Sequence, residues 1–327
     1  RTFNLKPSRM QKLMQWLTQF KGNEFHFEVV GDILTPEILD FLETVPPGMF
    51  QFEIGIQTTT ESVQETIKRK QSNQKLFATI QRLVEQDRIH FHCDLIFGLP
   101  GETLEHIKES FCQVMALRPH ELQLGFLKFL PGAPINNLVE KHQYRYQSTP
   151  PYELISHQEL SAKEVLYLKQ FVDIFDRYYN SKRFRFSINA LLEKMDPVTL
   201  FNRLLEYHDS HALLMNPVSL DEQYRIFRDT FYPVPTPMER DLLKLDYLYS
   251  QRSFRLPGIL STKPPAKTWK KDRKTPIIPF DHEIEISGSQ ALLKEAKHPV
   301  YYAIAHSQNG DGYFRRPTVN AISEPEA

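Results

Sequence analysis

Between Phe25 and Phe129 the chain repeats one theme, a short strand-like run followed by a helical run, and no other feature of its 327 residues constrains the fold as much. Strands joined by helix-length connections pair in parallel with the helices as crossovers, so the repeat predicts an α/β protein. The expected strands are Phe25 to Val30, Phe50 to Ile56, Ile89 to Phe97 and Leu122 to Phe129, each alternating or continuously apolar. Helices fill the gaps. Ser8 is a candidate cap for the first, whose apolar stripe is Met10, Leu13, Met14, Trp16 and Leu17, and Thr35 followed by Pro36 opens the second. Ser62 to Lys68 and Gln74 to Glu85 are also helical, and Thr103 begins a helix that ends near Leu117.

After Gly132 the alternation stops, and capping boxes announce helices instead: Ser161 with Glu164, Ser219 with Glu222 and Thr236 with Glu239. The longest, about Ala162 to Tyr179, carries Val165, Leu166, Leu168, Phe171, Val172, Ile174 and Phe175, enough apolar surface to be core. Three regions follow: 1–135, 136–260 and 261–327. The last opens on STKPPAKTWKKDRKTP, which reads as a basic linker, and continues into a short tail with one strand at Val300 to Ala305 and a turn at Asn309 to Gly312.

Lys plus Arg number 40 and Asp plus Glu number 40, so no global field favours nucleic acid or an anionic membrane, and a small molecule is the expected partner. No run approaches the roughly 20 apolar residues that span a bilayer, and the start lacks the apolar core of a secretory signal. A cytoplasmic location is expected. Cys93 and Cys112 are too few for a disulfide framework or a Cys-only metal site. The chain opens on Arg1 without methionine, from which a preceding segment is expected.

Period-two alternation sorts each strand into faces. Phe25, Phe27 and Val29 oppose His26 and Glu28; Phe52, Ile54 and Ile56 oppose Glu53, Gly55 and Gln57; Phe91, Cys93 and Leu95 oppose His90, His92 and Asp94; Leu122, Leu124 and Phe126 oppose Gln123 and Gly125. One face of every strand is polar. Unpaired carboxylates cannot be buried cheaply, so that face must meet water or a ligand, and Gly55 and Gly125 are expected to leave room for one.

Two segments narrow the reading. FEIGIQT at 52–58 ends one strand, and DLIFGLPGET at 94–103 runs from a strand through a Gly and Pro-rich turn into a helix capped by Thr103. Such a turn lets backbone groups approach a ligand edge closely. At this pair the sequence resembles the radical S-adenosylmethionine superfamily. It is most similar to the subgroup with an N-terminal cobalamin-binding domain and a C-terminal helical domain of unassigned function, through RTFN at 1–4, HFEV at 26–29, LQLGFLKFLPG at 122–132, PPYE at 150–153 and YYNSKRF at 178–184.

The resemblance covers roughly residues 1–250 and implies a partial (β/α)6 TIM-like barrel, of which this chain holds the C-terminal strands, followed by an α-helical domain. It implies S-adenosylmethionine as cosubstrate, with the Ile96 backbone and Gly98 beside the adenine, Glu28, Glu53 and Gln57 toward the ribose and methionine end, Gly55 and Asp94 on the same wall, and Asn4 or Arg1 at the methionine group. The family's CxxxCxxC loop holds an iron-sulfur cluster, and that loop, like the cobalamin domain, is absent from this sequence, so the cluster and cobalamin belong to upstream segments. Cys93 and Cys112 read instead as small buried hydrophobes. The chain alone is expected to be inactive. Two alternatives remain open: a metal-dependent hydrolase using His90, His92 and Asp94, and a non-catalytic binding protein descended from such a barrel.

Overall fold

A computed structural model describes residues 3–214, 216–250, 256–260, 270–272, 275–287, 290–305 and 318–322. The chain divides into two compact units, one ending at Val172 and the other starting at Asp173.

In the first unit, helices and strands alternate: α1 (Pro7–Leu17), β1 (Phe25–Val29), α2 (Pro36–Leu42), β2 (Phe50–Gln57), α3 (Glu61–Thr66), α4 (Asn73–Gln86), β3 (His90–Phe97), α5 (Leu104–Ala116) and β4 (Glu121–Phe126). The four strands form one parallel sheet in the order β1-β2-β3-β4, as successive units of a (β/α) barrel do. The apolar strand face is sealed: Phe50, Phe52, Ile54, Ile56, Phe91, Cys93 and Leu122 have no exposed surface. Met10, Met14, Leu42, Leu83, Val114 and Met115 on the crossover helices are equally buried and complete this core. Fully burying one such side chain contributes about 1.5–3 kcal/mol.

Local signals act mostly as expected. Thr103 accepts the N–H of His106 at 3.2 Å, the His106 ring accepts the Thr103 N–H, and the pair closes a capping box at α5. Ser8 instead lies inside α1; Lys6 holds the cap position without a side-chain bond, because Pro7 is tolerated at the first turn, where its missing N–H needs no partner. A short antiparallel pair, β5 (Arg145–Tyr146) and β6 (Leu154–Ser156), follows β4.

α6 (Ala162–Phe175) then opens the helical part, its start held by Ser161 and Glu164. The second unit continues with α7 (Arg185–Leu192), α8 (Pro197–Ser210), α9 (Leu220–Phe231) and α10 (Pro237–Ser250). Phe184 and Phe227 stack at 4.5 Å with Tyr178 and Tyr224 around them, an aromatic centre with no exposed surface. α10 carries two buried aspartates. Asp246 accepts the N–H groups of Phe186 and Ser187 at 2.7 and 3.0 Å, capping α7 from a distance of 60 residues. Asp241 accepts the N–H groups of Asp281 and His282 and pairs with Lys244 at 3.0 Å.

The last region differs from its expected form. It contains β7 (Lys270–Asp272), β8 (Thr275–Ser287), β9 (Gln290–Ala305) and β10 (Thr318–Ile322), an antiparallel sheet in which the expected strand at Val300 to Ala305 is the end of β9. Ile278, Phe280 and Tyr302 pack with Leu242, Leu245, Leu248 and Phe186. The period-two signal of β8 is broken by Pro276 and Pro279 and by the register shift between Phe280 and His282. Arg1, most of the Lys- and Pro-rich stretch, the turn at Asn309 to Gly312 and the final residues lie outside the described residues.

Candidate functional site

The polar face of the parallel sheet is ruled by its register. Glu28 pairs with Glu53, Glu53 with His92 and His92 with Glu121, so four polar residues form one row across β1 to β4. The next row toward the strand ends is Gly55, Asp94 and Gln123. Glu28, Glu53 and Asp94 therefore converge. Burial, then Glu53 and Glu28 in turn, push the Asp94 carboxyl up to about 7. Burial also lowers the proton affinity of His92, against the pull of Glu53.

At the end of β2 the chain bulges between Gly55 and Gln57, and Gln57 takes a left-handed φ of 67°. Its side chain folds back over Gly55, where an added Cβ would lie 2.4 Å from Gln57 Nε2. The space above Gly55 thus belongs to the Gln57 amide, whereas Gly125 has no side-chain atom near its missing Cβ. Gln57 Oε1 and Asp94 Oδ1 are both buried and make no hydrogen bond. Unsatisfied buried acceptors on a polar face are met by water or by donors of a bound molecule.

The turn after β3 is braced. Glu102, with 1% exposure, accepts the N–H groups of Gly98 and Leu99 at 2.9 and 3.2 Å and a hydrogen bond from the Thr58 hydroxyl, tying the ends of β2 and β3 together. Tyr144 Oη donates to the Gly98 carbonyl at 3.0 Å. Gly98 itself has φ +84°, and a Cβ there would sit 2.0 Å from Leu154 Cδ2, so both backbone and packing require glycine. Ile96 precedes this turn on the polar face, half-buried and paired with Gly125. Glu102 and Tyr144 were not among the sequence candidates; the acid closing GLPGE was the available signal, whereas Tyr144 lies 46 residues from its partner.

Asn4 lies in the short turn before α1. Its amide donates to the Val30 carbonyl at 2.8 Å and accepts the Val30 N–H at 2.9 Å, a two-bond clamp just beyond β1. His90 lies one row away from His92 on β3, pairing with Gln51, and its ring is 3.5 Å from Glu121 Oε1. His90 therefore stands apart from His92 and Asp94, and among the described residues the three ligand atoms that come together are those of His26, Glu53 and His92. A groove on α2 and α4, lined by Glu43, Arg82, Glu85 and Arg88, lies on helix surfaces away from these rows, and Arg82 already pairs there with Glu43 at 3.1 Å.

Residues 3–111, which include β1 to β3 and the turn after β3, match the Radical SAM superfamily. Residues 140–279 match a family described as a protein of unknown function (DUF4080). The chain is 27% identical to the heme chaperone HemW of Bacillus subtilis (strain 168) over 171 residues, 51% of this chain and 43% of that protein. It is 29% identical to the oxygen-independent coproporphyrinogen III oxidase of Escherichia coli (strain K12) over 38% of this chain and 27% of the enzyme. With the cobalamin-dependent radical SAM methyltransferase TokK of Streptomyces tokunonensis it shares 30% identity over 30% of this chain and 14% of the enzyme. The chain spans less than half the length of each of these relatives. Among solved structures, it is similar to the radical S-adenosylmethionine methyltransferase TsrM of Kitasatospora setae (TM-score 0.38, 14% identity, 46% of this chain and 32% of that one). Coproporphyrinogen III oxidase (HemN) of Escherichia coli gives a TM-score of 0.35 at 21% identity, covering 52% of this chain and 43% of that one. Over these stretches the chain is thus similar in sequence to oxygen-independent coproporphyrinogen III oxidase and to a cobalamin-dependent radical SAM methyltransferase. These likenesses favour neither the hydrolase nor the non-catalytic alternative.

An iron-sulfur cluster of the radical SAM kind does not fit the cysteines of this chain. Cys93 is fully buried on the apolar strand face with its thiol pushed well up, and Cys112 lies within α5. Among the described residues no helix is long and apolar enough to cross a membrane.

Proposed function

We propose that residues 1–135 supply the S-adenosylmethionine-facing wall of a radical SAM enzyme of the cobalamin-dependent kind, acting on a small molecule. The observation that carries this reading is the pair of unsatisfied buried acceptors, Gln57 Oε1 at the end of β2 and Asp94 Oδ1 on β3, the latter beside Glu53 and Glu28. Carboxylate and amide oxygens suit the hydroxyl donors of a ribose. The Ile96 and Gly98 backbone, held by Glu102 and Tyr144, is a rigid edge against which a planar base can lie. S-adenosylmethionine would bring the reactive sulfonium; the residues here bind and orient it. The cluster and the cobalamin have no ligands assigned among these residues and would be provided by protein outside them.

Titrating S-adenosylmethionine or S-adenosylhomocysteine into the purified chain tests the reading. Saturable one-to-one binding is expected, weakened at least tenfold by Asp94→Ala and by Gln57→Ala, a loss of about 1.4 kcal/mol. Absence of binding, or binding indifferent to both substitutions, would sink it.

A further inference from the structure

His26, Glu53 and His92 stand on three adjacent strands, and their ligand atoms all lie within 4.8 Å of one another. His26 Nε2 is 3.2 Å and His92 Nε2 3.6 Å from the same carboxylate oxygen, Glu53 Oε2, and the two rings are 5.5 Å apart. We propose that these three side chains form a binding site for one first-row divalent cation such as Zn²⁺, Co²⁺ or Fe²⁺.

Two imidazoles and one carboxylate presented from one side, with the other side open, are the donor set that such ions accept with positions left for water or substrate. The sheet supplies the preorganisation, since Glu53 and His92 are register partners and His26 lies two residues before Glu28, the partner of Glu53 on β1. Local charge favours a cation as well. Glu28, Glu53 and Asp94 crowd one face, and among the described residues no Lys or Arg forms an ion pair with any of them. Asp94 Oδ1, 3.9 Å from His92 Nε2, adds to that field. A cation relieves the mutual repulsion that the three carboxylates otherwise bear. His26 is 47% and Glu53 39% exposed, so an ion reaches the site from solution without unfolding.

The site does not depend on S-adenosylmethionine binding. After dialysis against chelator, the chain is titrated with Co²⁺ and followed by visible absorption and by metal analysis, with Zn²⁺ as competitor. One Co²⁺ per chain is expected, displaced by Zn²⁺, with affinity at least tenfold lower in His26→Ala and in Glu53→Gln and unchanged in His211→Ala, an exposed histidine at the end of α8. The exposed position of His26 makes its substitution harmless to the core, which a circular dichroism melt checks. Failure to saturate at one equivalent, or equal affinity in the His26→Ala, His92→Asn double variant, overturns the proposal. Gln57→Ala separates the two readings, because it should weaken the nucleoside ligand and leave Co²⁺ binding intact.

Discussion

The Glu102 carboxylate accepts the Gly98 N–H at 2.9 Å from within the same turn, and through that bond the end of β3 is fixed relative to α5. The same oxygen serves Leu99, and Thr58 reaches the group from the end of β2, so one buried acid holds both motif segments. Glu102→Ala leaves two buried N–H groups unpaired and should cost about 1–3 kcal/mol for each group left unsatisfied. Urea unfolding measures it, and Glu102→Gln, which keeps one acceptor, should lose less.

Burial pushes the Glu102 carboxyl up to about 8, against the lowering pull of its hydrogen bonds. The folded state therefore holds a proton that the unfolded chain releases near the ordinary carboxyl value of 4.5. Its contribution is fully present below 4.5 and is lost as pH rises toward 8. Thermal melts at pH 5 and pH 8 should show this loss, at about 2–4 °C per kcal/mol for a domain of this size. In Glu102→Gln the difference between the two pH values should shrink; an unchanged difference would place the pH dependence elsewhere.

Gly98→Ala should destabilise through two separable causes. The left-handed backbone costs a non-glycine residue about 1–2 kcal/mol, and the overlap with Leu154 adds about 1–3 kcal/mol of crowding. Pairing Gly98→Ala with Leu154→Ala should recover the second part and not the first. A double-mutant cycle with no coupling would contradict the 2.0 Å approach.

In the helical part, Asp246→Ala should free the first turn of α7 by removing the acceptor for Phe186 and Ser187. The expected cost is about 1–3 kcal/mol, measured by guanidinium unfolding, with earlier proteolytic cleavage near residue 185. An equally large effect from Asp209→Ala, on the exposed surface of α8, would show that the buried cap is not the cause.

The strand faces were legible because side-chain alternation is a local, period-two property, and every inward apolar residue from Phe50 to Phe97 falls where the pattern puts it. Pairing between strands is not local. The partnership of His26 with Glu53 depends on a register 27 residues apart, and a reading of β3 alone grouped His92 with His90 and Asp94 instead. Asn4 shows the same limit, since its polar side chain is consumed by Val30, 26 residues later. The β8–β9 ribbon was hidden by prolines in β8 and by a register shift that splits its alternation into two short runs.

The row Glu28, Glu53, His92 and Glu121 is set by strand register and not by the connections between strands. Each connection can therefore lengthen, shorten or change its residues over evolutionary time while the order of chemical groups on the face stays in place. Descendants of such a chain can diversify in what their loops admit without reinventing the surface that does the binding, and a single inserted residue within one strand would be far more disruptive than ten in a loop.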